Sequence, residues 1–373
     1  MNEDRATRYQ RLKRRVAVIS LGWSVALLVA LLVTGWTFAL RGGAAAAAAA
    51  IAGPGAAPWL TVVFYVLILL LVSEIGSLPL GFYSGFLLER RYGLSTERLS
   101  GWALDTLKSF AVGLVLGGAA ATIVYALIRR SPGGWWLSGG LIFAALIVGL
   151  ANVAPVLLIP IFYRLKPLER ESLRQRLFAL AERAGARVLA AHEWGLGDKT
   201  RKANAALVGI GSTRRILVSD TMLAQYSDDE IEVVLAHELA HHVHGDIWKG
   251  IALESALVVA GFYLASRVLT ALAGPAGLTS VADPAGMPLL VLAAGAVSLI
   301  MAPVALAMSR AFERSADRFA LALTRNPGAF VSAMRRLAAQ NLAEEHPSRA
   351  VQWLFYSHPP IRERIAAAEA FEP

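Results

Sequence analysis

The sequence predicts a mainly α fold, in which a polytopic helical membrane bundle of about six spans is fused to a cytoplasmic α+β domain with a small sheet. Hydrophobic residues make up 56% of the 373 residues and charged residues only 17%, whereas about 25% of an ordinary soluble domain is charged. Six apolar runs reach the roughly 20 residues that a spanning helix needs. Two polar stretches, 164–249 and 310–373, together have the length of one ordinary domain.

The six spans follow the apolar runs in chain order. The runs extend from about Val16 to Leu40, Trp59 to Phe82, Ser109 to Ile128, Trp136 to Tyr163, Gly250 to Leu272 and Pro288 to Met308. The first run is too long for the apolar core of a cleavable signal peptide, so we expect it to remain as a span. The Ala44–Ala50 tract that follows it is interpreted as a low-complexity spacer in an outer loop.

Basic residues predict the orientation of the spans. Six of them precede the first span, whereas the first loop contains only Arg41 and the loop at 273–287 contains none. Segments rich in Lys and Arg alternate with segments poor in them. The exception is the pair Arg129–Arg130, which lies in a loop that the alternation expects to be poor in basic residues. Because Lys and Arg accumulate on the cytoplasmic side, we expect both termini and the long polar stretches in the cytoplasm of a bacterial-type cell. The net charge of +9 then reflects basic loops at a membrane surface, and no nucleic-acid partner is expected.

Two domains are expected from this pattern. Residues 1–163 would form an N-terminal membrane region with four spans, and residues 164–373 would form the second domain, interrupted by a two-span hairpin at about 250–308. In the second domain, residues 169–185 are predicted to form an amphipathic helix. Residues 205–210 and 215–219 are predicted to be short strands around a turn at Gly211-Ser212-Thr213.

The most informative helix begins after Ser227, which forms a capping-box pattern with Glu230, and ends at Gly245. It contains the pentapeptide His237-Glu238-Leu239-Ala240-His241. Residues four apart share one face of a helix, so both imidazoles can hold one zinc ion. Glu238 would project towards the open position and take a proton from zinc-bound water. Four of the seven histidines lie between 237 and 244, so a non-catalytic histidine-rich metal-binding stretch is the alternative.

A catalytic zinc ion needs a third protein ligand. The chain contains no cysteine, so the ligand must be His, Asp or Glu. Glu313 and Asp317 follow the sixth span at helical spacing, and one of them can bind the metal while the other holds a ligand histidine. The short offsets of His241 and Glu313 from their spans place the metal within about 15 Å of the hydrocarbon edge. We therefore expect a membrane protein or a lipid-anchored peptide as substrate.

At this point the sequence resembles the integral-membrane zinc metalloendopeptidases that include the type I CAAX prenyl protease and the HtpX heat-shock protease. The similar segments begin at residue 73 and follow the family's order. They are Ser73–Pro79, Phe82-Tyr83-Ser84, Glu89–Leu94, Lys166–Glu169, Asn204-Ala205-Ala206 with Gly209, Asp220–Leu223, Ser309–Asp317 and Ser357-His358-Pro359-Pro360. The resemblance implies a zincin-like α+β metalloprotease domain. One departure is the number of spans, which is six here and seven in the prenyl protease.

The resemblance also implies roles for the matching residues. His237, His241 and Glu313 would bind one Zn²⁺ ion, and Glu238 would be the general base. Asn204 and His358 would contact the scissile peptide or stabilise the oxyanion. Asp317 would support a ligand histidine. Arg362, four residues after His358, is expected to orient it, whereas His242 and His244 point away from the ligand face.

The predicted function is therefore a membrane-embedded, zinc-dependent endopeptidase that acts on membrane-associated or lipid-anchored proteins, with the lipid bilayer as its other partner. An intramembrane protease is disfavoured because the motif has charged flanks outside the hydrocarbon. The alternative is a non-proteolytic membrane metal-binding or metal-transport protein. A transporter would place its ligands within the spans, and the predicted spans contain no histidine.

Overall fold

The computed structural model describes residues 4–53, 58–209 and 213–372, without the side chains of residues 154–156. Among these residues, six helices are long and apolar enough to cross a membrane, which confirms the predicted number. They are α1 (Arg5–Val33), α3 (Pro58–Phe82), α5 (Leu99–Arg130), α6 (Trp135–Leu157), α11 (Asp246–Leu272) and α12 (Met287–Thr324). Most extend beyond the predicted apolar runs, because a helix continues into polar residues once it leaves the hydrocarbon.

The end of the first span differs from the prediction. Helix α1 ends at Val33, and Gly35 has a φ of 75°, in the left-handed region that favours glycine. A separate helix, α2 (Trp36–Ala52), follows, so interpreting the alanine tract as a spacer loop was wrong. Alanine has the highest helix propensity, and its small side chain permits close packing. Ala44 is fully buried in one cluster with Val62 and Tyr65 of α3.

Polar contacts show which helix ends are neighbours. At one end of the bundle, Arg41 of α2 pairs with Asp283 in the loop between α11 and α12, and Tyr125 of α5 donates to the Asp283 carbonyl. At the other end, Arg14 of α1 donates to Glu344 in the C-terminal polar segment. The C-terminal polar segment, which shares one core with the first polar stretch, therefore lies at this end of the bundle, here called the polar-domain end.

The sheet in the polar domain has four strands in the order β1-β2-β4-β3. The strands are β1 (Leu165–Pro167), β2 (Ala190–Trp194), β3 (Ala205–Val208) and β4 (Arg215–Ser219). β4 pairs in parallel with β2 and antiparallel with β3, so β3 is an edge strand. The two predicted strands are confirmed, although β3 ends before residue 209. The residues of the predicted turn at 211 and 212 lie outside the described chain.

Helix α10 (Asp228–Val243) crosses the polar domain beside β3 and α12. Ser227 accepts from the Glu230 backbone and Glu230 accepts from the Ser227 backbone, which confirms the predicted capping box. Gly245, with a φ of 66°, separates α10 from the span α11. The helix that carries the histidine motif therefore runs almost directly into a membrane span.

The remaining helices are short and lie mainly at the polar-domain end. They are α4 (Leu88–Arg91), α7 (Ile159–Phe162), α8 (Glu171–Arg183), α9 (Asp220–Leu223), α13 (Pro327–Asn341), α14 (Arg349–Phe355) and α15 (Ile361–Glu369). A π-helical turn at Tyr83–Leu87 joins α3 to α4, and a 3₁₀ turn at Pro284–Gly286 precedes α12. The core of the polar domain forms where α8, α10, α13 and the sheet meet.

Candidate metal centre and active site

Three side chains from two helices converge at the polar-domain end. His237 and His241 lie one turn apart on α10, and Glu313 lies on the extension of α12 beyond its apolar part. The Nε2 atoms of His237 and His241 are 3.2 and 3.5 Å from the carboxylate oxygens of Glu313. One ligand atom from each residue lies within 4.8 Å of the others, so the three could share a single ion.

The state of the Glu313 carboxylate tests whether a metal ion fits here. Its Oε2 atom is buried and forms no hydrogen bond of normal geometry among the described residues. Nevertheless, a His237 nitrogen lies 3.2 Å and the His358 Nδ1 atom 2.7 Å from it. A buried acceptor without a well-aligned donor is costly, and a cation would satisfy it. Two imidazoles and a carboxylate are a ligand set of catalytic zinc sites, so these residues fit a zinc ion.

In both His237 and His241, a carboxylate contacts the ring nitrogen that does not face Glu313. The Nδ1 atom of His237 is 2.9 Å from Asp317, and that of His241 is 3.1 Å from Asp246. Such contacts fix the ring orientation and the tautomer that presents Nε2 to a metal. The structure thus brings Asp317 beside His237. Asp246 has no role in the sequence reasoning, because its contact depends on the backbone reversal at Gly245.

An arginine near the C-terminus completes this cluster, and it is not the predicted one. Arg364 is buried and donates two hydrogen bonds to Asp317, at 2.8 and 2.6 Å. Arg362 is exposed and has no hydrogen bond to His358 among the described residues. Successive residues of α15 are rotated by about 100°, so positions 362 and 364 face nearly opposite sides. The structure therefore places Arg364, and not Arg362, beside the histidine cluster.

The carboxylates determine the electrostatics of the cluster. Burial opposes protonation of His237, but its contacts with Asp317 and Glu313 raise its pKa to about 9. Burial raises the pKa of Glu238, although the neighbouring histidines act in the opposite direction. The carboxylates thus create a site that favours positive charge next to the imidazoles.

Glu238, Asn204 and His358 line one cleft with His237 and Glu313. The cleft has a volume of about 300 Å³. The His358 side chain is 60% exposed, and Asn204 is also exposed. Glu238 is half-buried in the cleft wall, so Asn204 and His358 are the more open of the three side chains.

The edge strand β3 presents backbone groups beside this cleft. The Asn204 carbonyl accepts from the Ser219 N–H of β4, at 2.9 Å. In an antiparallel ladder the next residue, Ala205, must turn its N–H and C=O away from β4. His242 reaches the Leu207 carbonyl at 3.0 Å instead of the metal ligands. An extended peptide can thus pair with β3 near Ala205, whereas the Leu207 carbonyl further along the strand already contacts His242.

His244 also lies outside the converging cluster. Its Nδ1 atom is 3.3 Å from the Ser315 hydroxyl, and its ring packs edge-on against Phe319. Both contacts are with α12. Two of the four clustered histidines therefore connect neighbouring elements and do not face Glu313.

Comparison with known proteins identifies the family. Residues 167–372, more than half of the chain, match the family model described as peptidase family M48. The chain belongs to peptidase family M48. Residues 2–164 of this M48 peptidase match a second model, described as CAAX prenyl protease N-terminal, five membrane helices. The predictions of the family and of a multi-pass membrane metalloprotease are confirmed.

Individual relatives agree with this assignment. The chain is 29% identical over 318 residues to the uncharacterized metalloprotease YhfN of Bacillus subtilis, covering 84% of this chain and 74% of that protein. It is 26% identical to the CAAX prenyl protease 1 homolog of Oryza sativa, covering 80% and 70%. The crystal structure of S. mikatae Ste24p has the same fold, with a TM-score of 0.86, 20% identity and coverage of 98% and 88%.

The second family model bears on the helix count. Its description names five membrane helices, whereas the sequence predicts four spans in residues 1–163. The additional apolar helix in this region is α2, which has 17 residues. That length is at the lower limit for a span. Because the helix consists largely of alanine, it does not stand out as a run of large apolar residues.

Proposed function

We propose that this M48 peptidase is a zinc-dependent endopeptidase that hydrolyses membrane-associated or lipid-anchored proteins. The observation that supports this most strongly is the convergence of His237, His241 and Glu313 beside Glu238, next to a cleft bordered by an edge strand. Both histidines and Glu313 would bind the single Zn²⁺ ion. Bound zinc would supply a Lewis acid that lowers the pKa of water and polarises the peptide carbonyl.

In the proposed reaction, the residues of the chain position the peptide and move the protons. Glu238 takes a proton from the attacking water and later gives it to the leaving amine. The substrate backbone pairs with β3 near Ala205, which requires little of its side chains. Asn204 and His358 contact the scissile peptide, and a donor at the developing oxyanion contributes several kcal/mol, on the order of 3.

The substrate class follows from the position of the cleft. Glu313 lies five residues after Met308 on the unbroken helix α12, a rise of about 8 Å. A cleft so near the hydrocarbon favours peptides that are held at the membrane. Relatives named as CAAX prenyl protease support a lipid-anchored substrate.

We further propose that residues 1–163 form the membrane region and residues 164–373 the catalytic domain. The chain would lie in a bacterial-type cell membrane, with the catalytic domain and both termini in the cytoplasm.

A cleavage assay tests the assignment of the base. The chain and its Glu238→Gln variant would be reconstituted in vesicles with a lipid-anchored reporter peptide, and cleavage would be followed by mass spectrometry. Glu232→Gln is the control, because Glu232 lies on the same helix but pairs with Arg176. We expect the Glu238→Gln variant to lose at least about 100-fold in rate, as loss of a general base does, and the control to keep its rate. Unimpaired turnover by Glu238→Gln would refute the assignment.

A further inference from the structure

A short helix next to the cleft exposes an apolar surface. In α14, Trp353, Leu354 and Phe355 are 56%, 48% and 42% exposed. Three consecutive residues cover an arc of about 200° on a helix, so the last turn of α14 presents a broad apolar surface. Large exposed apolar patches usually mark a contact with a membrane or another protein.

Contacts from two separate spans fix the height of α14 relative to the membrane. Arg310 of α12 donates to the carbonyls of Gln352 and Tyr356, at 3.1 and 2.6 Å. Arg14 of α1 donates to the Tyr356 hydroxyl, at 2.9 Å. Each arginine stands two residues outside the apolar run of its own helix, which ends at Met308 and begins at Val16. The end of α14 is therefore level with the edge of the hydrocarbon.

Helix α14 also packs against α12, a span that exposes large apolar side chains in its apolar part. On α12, Ile300 and Val304 are 72% and 52% exposed, which is expected for side chains that face lipid. Arg310 joins α14 to this same helix. Tryptophan and other aromatic side chains are enriched at the level where hydrocarbon meets head groups.

We propose that α14 is an interfacial helix that inserts Trp353, Leu354 and Phe355 into the bilayer leaflet at the polar-domain end. Arg349, exposed at the start of the helix, would lie among the lipid head groups. The partner is the lipid surface itself. This inference rests on the level and exposure of α14 and does not require the proposed peptidase mechanism.

The membrane contact would also bear on the cleft. His358 follows Phe355 by three residues, and Arg310 holds the intervening Tyr356 carbonyl. The bilayer would therefore support one wall of the cleft from outside.

Site-specific labelling tests the proposal directly, because the chain contains no cysteine. The variants Trp353→Cys and Leu354→Cys would each carry a bimane label on the complete chain in vesicles of phosphatidylcholine and phosphatidylglycerol. Quenching by nitroxide-labelled lipids reports contact with the bilayer. Val304→Cys is the lipid-facing reference. Leu189→Cys is the matched control, since Leu189 is an apolar residue of the polar domain that is 60% exposed.

The expected result is quenching of the labels at 353 and 354 that approaches that at 304 and exceeds that at 189 at least twofold. Quenching equal to that at 189 would overturn the proposal. So would labels that are shielded from both lipid nitroxides and a water-soluble quencher, because that pattern would place a second protein surface on α14.

Discussion

Arg362 and Arg364 stand two positions apart in α15, yet their environments differ completely. Arg364 is buried against Asp317, which in turn contacts the Nδ1 atom of His237. Arg362 is exposed. The chain thus provides a matched pair of arginines for testing how the histidine cluster is supported.

Replacing each arginine by alanine should separate the two positions. Arg364→Ala leaves Asp317 buried without its charge partner, and breaking a buried pair costs about 3 to 5 kcal/mol. Arg362→Ala should change the free energy of unfolding by less than about 0.5 kcal/mol. Thermal unfolding in detergent measures both, and Arg364→Lys should lie between them, because it keeps the charge and loses the paired hydrogen bonds. Equal midpoints for the two alanine variants would contradict the contact with Asp317.

Sequence reasoning can predict those site residues whose relative positions depend only on their spacing along one helix. His237, Glu238 and His241 are recognisable because four residues make about one helical turn. The pairing of Asp317 with Arg364 connects residues of α12 and α15 that only tertiary packing brings together. Nothing in the local pattern around 364 distinguishes it from 362, so sequence reasoning could not single out Arg364.

Among the helices, α6 and α11 pack with very little space between them. An added Cβ atom at Gly140 of α6 would lie 3.0 Å from the Val259 Cα atom of α11. Small residues at such a crossing let two membrane helices approach closely. Gly149, also in α6, has no atom within 4 Å of the corresponding position.

Alanine at these two glycines should therefore have different effects. Gly140→Ala forces the helix backbones apart, and overpacking of this kind costs about 1 to 3 kcal/mol. Gly149→Ala should be neutral or slightly stabilising, because alanine favours the helix. The measurement is the midpoint of thermal unfolding in detergent, compared with the unchanged chain. A similar loss at both positions would argue against a close crossing at Gly140.

The elements that the sequence predicted are those with strong periodicity or clear boundary residues. Ser227 and Glu230 marked the start of α10, and long apolar runs marked the spans. β1 and β2 were missed because Leu165–Pro167 and Ala190–Trp194 are short and lack alternating polarity. Helix α2 was missed because seven successive alanines resemble a low-complexity spacer, although they form a well-packed helix.

Over the whole molecule, the polar domain and the loop between α11 and α12 lie at opposite ends of the bundle. Ser280 lies in the exposed loop between α11 and α12, and Leu189 is exposed in the polar domain. The arrangement of the helices places these two positions on different sides of a membrane. The basic residues predict which side faces the cytoplasm.

Single cysteines at these positions test that orientation. In intact cells, Ser280→Cys should react with a membrane-impermeant maleimide, whereas Leu189→Cys should react only after permeabilisation. A difference of about tenfold in labelling is expected, since a sealed membrane excludes the reagent from one side. The reverse pattern would show that the polar domain lies outside the cell.

The proposed zinc ion would be held by His237, His241 and Glu313 at the membrane surface. X-ray absorption at the zinc edge of the purified chain tests this ligand set, with Glu313→Ala as the comparison. We predict one zinc ion per chain, with imidazole nitrogens at about 2.0–2.1 Å, and loss of the ion from the variant. A spectrum without imidazole scattering, or full zinc retention in Glu313→Ala, would contradict this proposal.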